Sequence, residues 1–405
     1  MRHRSAVPAR SAIAVVAAAL AVASSSTTTA SAGTVSVEGG VARFVDGSGV
    51  DDLIHLGVGS DDSGAAWFFT TDVADPRPVA GAGCQLTLGL GECAFGGAPP
   101  ASVLVDVAGG NDDVRYTSTV RAPTRVRIAG GPGNDTLRAY ETRGELDGGD
   151  GDDTLRPDDH YSVSQLPPGP TPGGTVRGGA GTDTVEYDAT AERFAISLDG
   201  RANDGRGGEG DNVLPDVENV TGGDEGNVIS GSDAANVLQG GGGEDRLTGG
   251  RGRDTLAGRG GNDTLDALDG AGGDRLDCSD GADVAYADAG DVLAAGTCER
   301  VTWAPAVAAG RLRHADGAIP VPLACPATSA AACRGTVLLR SAGRSPATLA
   351  SGSYAVRRGA RASILLTPTR AGRAALRSGR TVAAEAVVRP RGTQPSAGRS
   401  VTIRG

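Results

Sequence analysis

The sequence predicts an all-β protein: a coiled parallel β-solenoid followed by a small immunoglobulin-like β-sandwich. Three observations carry this. A nine-residue template, G-G-x-G-x-D-x-U-x with U a large aliphatic, recurs in fixed phase through the middle of the chain. On either side of it, short runs of β-branched or aromatic residues are bounded by Gly, Asp and Pro, which is the pattern of strands between turns. Aromatics make up only 3% of the chain, so a conventional core is thin and short strands must gain their stability by stacking.

In chain order, residues 1–32 read as a secretory signal peptide. Arg2, Arg4 and Arg10 form a positive start, Ile13 to Val22 are almost wholly apolar, and Ala30-Ser31-Ala32 is a small-residue cleavage site. The apolar run is too short for a stable membrane span and no later segment approaches one, so no span is expected in the mature chain. The protein is expected to be secreted and extracellular, with association to the cell surface as a variant of that location. The six cysteines fall as three local pairs, Cys84 with Cys93, Cys278 with Cys298 and Cys325 with Cys333. An even count in a secreted chain suggests disulfides, and nearest-neighbour pairing is the simplest of the fifteen connectivities open to six cysteines.

Residues 33–128 read as short strands, for example Thr34-Val35-Ser36-Val37, Leu53-Ile54-His55-Leu56, Ala66-Trp67-Phe68-Phe69 and Val103-Leu104-Val105-Asp106-Val107. They are expected to form an N-terminal cap or an irregular start to the solenoid, since an open solenoid end exposes apolar residues and a strand edge.

Residues 129–300 hold the repeats. Three follow one another without a gap: Gly240-Gly241-Gly242-Gly243-Glu244-Asp245-Arg246-Leu247-Thr248, then Gly249-Gly250-Arg251-Gly252-Arg253-Asp254-Thr255-Leu256-Ala257, then Gly258-Arg259-Gly260-Gly261-Asn262-Asp263-Thr264-Leu265-Asp266. Further copies centre on Asp135, Asp153 and Asp183, and the register continues less perfectly through Asp274 and Asp283. Glycine lets the backbone turn through positive φ, the sixth-position Asp offers a hard anionic oxygen, and x-U-x is a strand too short to survive unstacked. Two repeats make one eighteen-residue coil, so residues eighteen apart should lie about 4.8 Å apart in adjacent coils. The aliphatics then form an internal ladder and the Gly-Asp turns a groove of oxygens. Calcium takes about 6–8 oxygens and accepts carbonyls and carboxylates together.

On these residues, 130–286 resemble the hemolysin-type (RTX) calcium-binding repeat family. The resemblance implies a right-handed parallel β-roll with calcium between stacked turns. The expected ligands are the carboxylates of Asp135, Asp153, Asp183, Asp245, Asp254, Asp263, Asp274 and Asp283. Carbonyls of Gly131, Gly133, Gly149, Gly151, Gly179, Gly181, Gly241, Gly243, Gly250 and Gly252 are expected to complete the shell. Asn227 and Asn236 replace Asp between Gly222 and Gln239, so those turns should bind calcium weakly or not at all. Ala267-Leu268 interrupts the count, and upstream echoes at Asp51-Asp52-Leu53 and Asn111-Asp112-Asp113-Val114 read as turns without metal. Export differs from the toxins and proteases of that family, which use a C-terminal signal.

Two insertions interrupt the repeats, at 157–173 and 187–220. The first is Pro-rich; the second holds a strand at Phe194-Ala195-Ile196-Ser197-Leu198 and an acidic loop, Asn203 to Asn212, that is a candidate for another calcium. Residues 301–405 change texture, with arginine rising and alternating strands at Ile319 to Leu323, Gly335 to Leu339, Ser363 to Leu366, Val382 to Val388 and Ser400 to Ile403. This is the basis for the basic β-sandwich domain.

The net charge of −11 hides a split. Residues 33–300 carry 47 acidic groups against 19 arginines, while 301–405 carry 16 arginines against Asp316 and Glu385. Stacked carboxylates should repel one another, so calcium binding is expected to be part of the folding free energy, with the acidic half ordering after export. No H-E-x-x-H or G-x-S-x-G occurs, and His160 beside Asp158, Asp159 and Ser162 lies in a Pro-rich loop rather than on a rigid scaffold. His55 reads as a strand residue. Tyr354 and Trp303 are too few aromatics for a nucleic-acid stacking platform, so no nucleic-acid partner is expected. The expectation is a non-enzymatic, secreted calcium-binding protein with a structural or surface role. The alternative is an adhesin or glycan-binding protein on a calcium-stabilised stalk, which would make a cell-wall or surface polysaccharide a partner. A third reading is an enzyme of unrecognised type in residues 33–128.

Overall fold

The computed structural model describes residues 33–404 except 48, 61–65, 73–78, 83, 88–89, 96–99, 119–124, 140–142, 158–172, 188–192, 207–209, 295–296, 305, 308–310, 316, 328, 330–331, 343–344, 378–380 and 391–398. Residues 1–32, where a signal peptide is expected, most of the Pro-rich insertion and His160 lie outside the described residues.

The nine-residue period becomes a stack of half-turns. Strand Thr136–Ala139 pairs in parallel with Thr154–Arg156, placing Leu137 beside Leu155, and Val237–Gly241 pairs in parallel with Thr255–Arg259, placing Leu238 beside Leu256. Residues eighteen apart are therefore neighbours across the ladder. Where the sequence inserts residues the pairing absorbs them: Leu155 lies beside Val185, and Leu256 beside Leu276 across the Ala267-Leu268 insertion.

One sheet runs the whole length of the coil, and its buried ladder is unbroken from Ile54 through Val114, Leu137, Leu155, Val185, Val220, Leu238 and Leu256 to Leu276, with Leu293 packed at the end. The opposite face is divided. Phe44, Val105, Ile128, Leu146, Val176 and Val213 stack in one sheet; Ile196, Ile229, Leu247, Leu265, Ala285 and Val301 stack in another. The second sheet begins in the insertion, where Phe194–Ser197 pairs antiparallel with Gly205–Arg206 and parallel with Val228–Ser230. All these side chains join one apolar cluster, which explains how so few aromatics suffice: each coil needs one aliphatic per face.

The outer faces are laced by exposed or half-exposed ion pairs. Arg127 meets Asp147 at 3.2 Å, Arg177 meets Asp216 at 3.8 Å, and Arg138 and Arg156 pair with Asp113 and Glu186. Such pairs contribute little individually and serve to offset the acidic charge locally.

Antiparallel strands occupy the N-terminal end. Thr34–Glu38 folds on Val41–Asp46, and Leu53–Ser60, Ala66–Asp72, Leu90–Phe95 and Cys84–Thr87 extend the long sheet in succession. Cys84 and Cys93 are direct cross-strand partners and form a disulfide, as do Cys278 with Cys298 and Cys325 with Cys333, so the nearest-neighbour pairing holds for all six.

After Arg300–Trp303 the chain enters an antiparallel array with its own apolar cluster. Cys333–Ser341 sits between Thr348–Val356 and Thr381–Pro390, the latter pairs with Arg399–Arg404, and Ile319–Ala324 pairs with Arg361–Pro368. Thr348–Val356 and the seven-residue helix Arg370–Leu376 are additions to the strands expected from sequence. Thr369 caps that helix by accepting the Gly372 N–H on its hydroxyl. Leu268, from the two-residue insertion, is buried in this second cluster, and Arg251 reaches Glu385 at 3.2 Å. The insertion thus gives the last coils a contact with the C-terminal array.

Candidate metal centre

The sixth-position residues of successive coils stack along the edges of the coil, and each bonds the next. On the edge before the long sheet, the Asp52 N–H donates to Asp112 Oδ1 at 2.8 Å, Asp112 N–H to Asp135 at 2.8 Å, Asp135 N–H to Asp153 at 2.8 Å, and Asp153 N–H to Asp183 at 2.9 Å. Glu218 takes the next place, accepting the Asp183 N–H at 2.8 Å. The same edge resumes with Asn236 N–H to Asp254, Asp254 N–H to Asp274 and Asp274 N–H to Asp291. On the opposite edge the second half carries such a ladder, Asn227 N–H to Asp245, Asp245 N–H to Asp263, Asp263 N–H to Asp283, and Asp283 N–H to Glu299, while the first half shows a single bond of this kind among the described residues, Gly174 N–H to Asp211.

The eight aspartates expected from sequence are thus all brought into these ladders, and all are buried. The first run carries one Asp per coil, on one edge; the second carries one per half-coil, on both. Asp112, Glu218, Asp291 and Glu299 also belong to the ladders, and the repeat template does not mark them as site residues. Asp112 has a visible signal, the Asp-x-Val of a weak echo, whereas Glu218 and Glu299 lack the glycine frame and substitute a longer side chain.

Each ladder bond uses one carboxylate oxygen. The second oxygen of Asp112, Asp135, Asp153, Asp183, Asp245, Asp254, Asp263 and Asp283 is buried without a hydrogen-bond partner. Asp274 makes the ladder bond but is not among these. In the repeats that begin with glycine, the unpartnered oxygen faces the gap left where that glycine lacks a Cβ. A Cβ on Gly249 would stand 2.5 Å from Asp254 Oδ2. One on Gly148 would collide with Asp153 Oδ2 and lie 2.6 Å from the Gly178 carbonyl oxygen of the next coil. One on Gly240 would collide with Asp245 Oδ2 and lie 2.8 Å from the Gly258 carbonyl oxygen. Carboxylate and carbonyl oxygens therefore converge with no donor between them.

The turns that aim these oxygens need left-handed backbone at the second repeat position. Gly131, Gly149, Gly179, Gly241 and Gly250 have positive φ there, and among the described residues the two non-glycines with positive φ, Arg259 and Ser279, occupy the same position. Gly133, Gly151, Gly181, Gly243 and Gly252, at the fourth position, also have positive φ.

Electrostatics agree with the geometry. Burial pushes Asp112, Asp245 and Asp254 up to about 7, and Asp135, Asp153, Asp183 and Asp274 up to about 6; the ladder N–H donors work against the rise and neighbouring carboxylates mostly add to it. A cation among these oxygens would offset the rise by favouring the charged carboxylates. Among the described residues no three His, Cys, Asp or Glu side chains gather as a metal-holding group; the oxygens brought together are one carboxylate per coil in the first run and one per half-coil in the second, with main-chain carbonyls beside them. Hard oxygens of that mixed kind suit calcium rather than zinc.

In the acidic insertion loop Asp204 is already used: it accepts from Ser197 N–H at 2.6 Å and Val213 N–H at 2.8 Å. His55 lies on Leu53–Ser60, its pKa lowered by burial and by Arg115. No described helix is long and apolar enough to cross a membrane.

No curated protein matches the chain. A family model of the RTX calcium-binding nonapeptide repeat matches in four copies, over residues 127–155, 221–256 and 239–272, which include Asp135, Asp153, Asp245, Asp254 and Asp263 with their unpartnered oxygens, while Asp112, Asp183 and Asp283 lie outside the match. The chain carries RTX calcium-binding nonapeptide repeats.

Proposed function

We propose that this is a secreted, structural or surface protein whose repeats take up calcium outside the cell and fold with it. The observation that supports this best is the row of buried carboxylate oxygens without donors, of which those of Asp135, Asp153, Asp183, Asp245 and Asp263 lie beside a carbonyl of the adjacent coil. Asp135, Asp153, Asp183, Asp245, Asp254, Asp263, Asp274 and Asp283 would hold the ions, with the carbonyls of the second- and fourth-position glycines. Asp112 joins them on the same ground. Bound calcium supplies positive charge that neutralises stacked carboxylates and ties adjacent coils together. The parallel eighteen-residue register supports a right-handed β-roll, and the antiparallel C-terminal array supports a sandwich of immunoglobulin-like type.

The chain's own residues divide the work. One carboxylate oxygen orders the neighbouring coil through its N–H; the other is left for the cation. Without the cation the second oxygen is a buried charge lacking compensation, which costs several kcal/mol per group or forces protonation. Folding is then coupled to calcium, at the roughly 10⁻⁴–10⁻³ M typical of extracellular modules. Circular dichroism of the full mature chain with calcium and after chelation tests this: the β signal should fall on chelation and return on adding calcium, and a signal indifferent to calcium would refute it.

The adhesin reading draws on Arg311, Arg313 and Arg404, exposed on the paired strands Arg311–Arg313 and Arg399–Arg404 with Arg313 directly beside Arg404. Specific binding of the full chain on a glycan array, lost on replacing these arginines, would favour it.

A further inference from the structure

The family match spans residues 221–256 and so covers the coil from Gly222 to Gln239, whose two sixth positions are Asn227 and Asn236. Their amides are placed in a way that goes beyond a weakened ligand.

Asn227 keeps half of the aspartate role. Its Oδ1 accepts the Phe194 N–H at 3.1 Å, one coil back, as Asp245 Oδ1 accepts the Asn227 N–H at 2.6 Å. Its other atom differs. The two hydrogens of Nδ2 are shared among three main-chain carbonyls, Glu225 at 2.6 Å, Gly223 at 3.0 Å and Gly240 at 3.1 Å. Three acceptors around one atom fix the amide orientation, since an oxygen there would face three oxygens.

The register identifies what those carbonyls are. Gly223, Glu225 and Gly240 lie eighteen residues before Gly241, Gly243 and Gly258, the carbonyls that correspond around Asp245. The gap beside the first glycine corresponds too. A Cβ on Gly222 would meet Asn227 Nδ2 at 2.8 Å and the Gly240 carbonyl, as one on Gly240 would meet Asp245 Oδ2 and the Gly258 carbonyl. An N–H donor therefore occupies the place where the Asp coils present an anionic oxygen to the same carbonyls.

Asn236 closes its half-turn differently. Its Oδ1 faces the gap, 2.6 Å from a Cβ built on Gly231, and accepts both the N–H and the hydroxyl of Ser232, at 2.8 and 3.2 Å, while Nδ2 donates to the Glu218 carbonyl at 3.0 Å. Neither Asn leaves a buried polar atom without a partner, in contrast to the Asp of the neighbouring coils.

We infer that the coil 222–239 is a built-in metal-free coil, in which the Asn227 amide takes the place of a carboxylate, bonds directly to the carbonyls a cation would bridge to, and keeps its half-turn from taking calcium. This rests on the calcium reading of the other repeats. The positive partial charge of the NH₂ group satisfies the carbonyls at all calcium concentrations. Changing Asn227 to Asp removes that donor and restores a carboxylate oxygen among carbonyls already in position.

The test counts calcium bound per full mature chain by equilibrium dialysis with elemental analysis, at saturating calcium. Asn227→Asp should bind one ion more than the wild type. Asn227→Leu, which keeps the bulk and loses the donor, should bind the wild-type number and melt at a lower temperature in saturating calcium. A wild-type chain that binds calcium and an Asn227→Asp variant that binds the same number would overturn this inference alone. A wild-type chain that binds none would overturn the calcium reading and this inference with it. If Asn227→Asp does not fold even in calcium, the leucine variant decides: melting at the wild-type temperature would show that the amide satisfies nothing, and refute the proposal.

Discussion

Asp263 Oδ1 accepts the main-chain N–H of Asp245, eighteen residues upstream, at 2.9 Å, while Asp263 Oδ2 is buried with no donor. The two oxygens of one carboxylate thus face opposite demands. One is spent on register, holding a coil against its neighbour; the other is surplus to the protein's own hydrogen bonding. Register and metal affinity thus meet in a single side chain.

Asp245→Ala tests that coupling. The change leaves the buried Asn227 N–H without its acceptor, which costs about 1–3 kcal/mol, and removes one oxygen from the cation site. Calorimetric titration of the full chain should show one ion fewer and weaker cooperativity along that edge. The thermal midpoint in calcium should fall as well. A titration superimposable on the wild type would remove Asp245 from the ligand set.

The pH response should differ in sign with and without metal. In the metal-free protein, burial holds Asp245 and Asp254 at about 7 and Asp135, Asp153 and Asp183 at about 6, above the ordinary 3.8. A raised folded-state pKa means that the fold binds protons the unfolded chain has released. The stability from these groups is fully present below about pH 4 and is lost as pH rises through 6 to 7. Metal-stripped protein should therefore show more β signal at pH 5 than at pH 8. In calcium the protons compete with the ion, and affinity should fall below about pH 6–7. A metal-free signal independent of pH would contradict the assignment of these carboxylates as the unsatisfied groups.

Much of the coil and its oxygen ladders is legible in the amino-acid sequence, because period and chemistry are written in the same letters. Leu137 and Leu155 stack because they are eighteen apart, and Asp135 and Asp153 bond for the same reason. The one-edged and two-edged runs are implicit in the spacing, eighteen from Gly130 to Gly148 but nine from Gly240 to Gly249. Other features have no local code. The exchange of one facing sheet for another at Phe194 depends on where an insertion re-enters the stack, and the burial of Leu268 depends on a C-terminal array far away along the chain. Glu218 and Glu299 end their runs by reach rather than by motif. The helix Arg370–Leu376 is too short for a helical period to stand out among strands.

Gly148→Ala separates space from backbone conformation. Gly148 does not have positive φ, so alanine is conformationally admissible there, unlike at Gly149 with φ +113°. The only new demand is room for a methyl group, and that room is the gap between Asp153 Oδ2 and the Gly178 carbonyl. Overpacking of this kind costs about 1–3 kcal/mol, and here it also blocks the approach of a cation. Gly47→Ala is the matched control, since a Cβ there meets nothing within 4 Å and the backbone is likewise not left-handed. Calcium-dependent refolding followed by circular dichroism should need more calcium for Gly148→Ala, with one ion fewer bound at saturation, and should be unchanged for Gly47→Ala. Equal calcium requirements for the two variants would mean that the gap is not where the ion sits, whatever the carboxylates do.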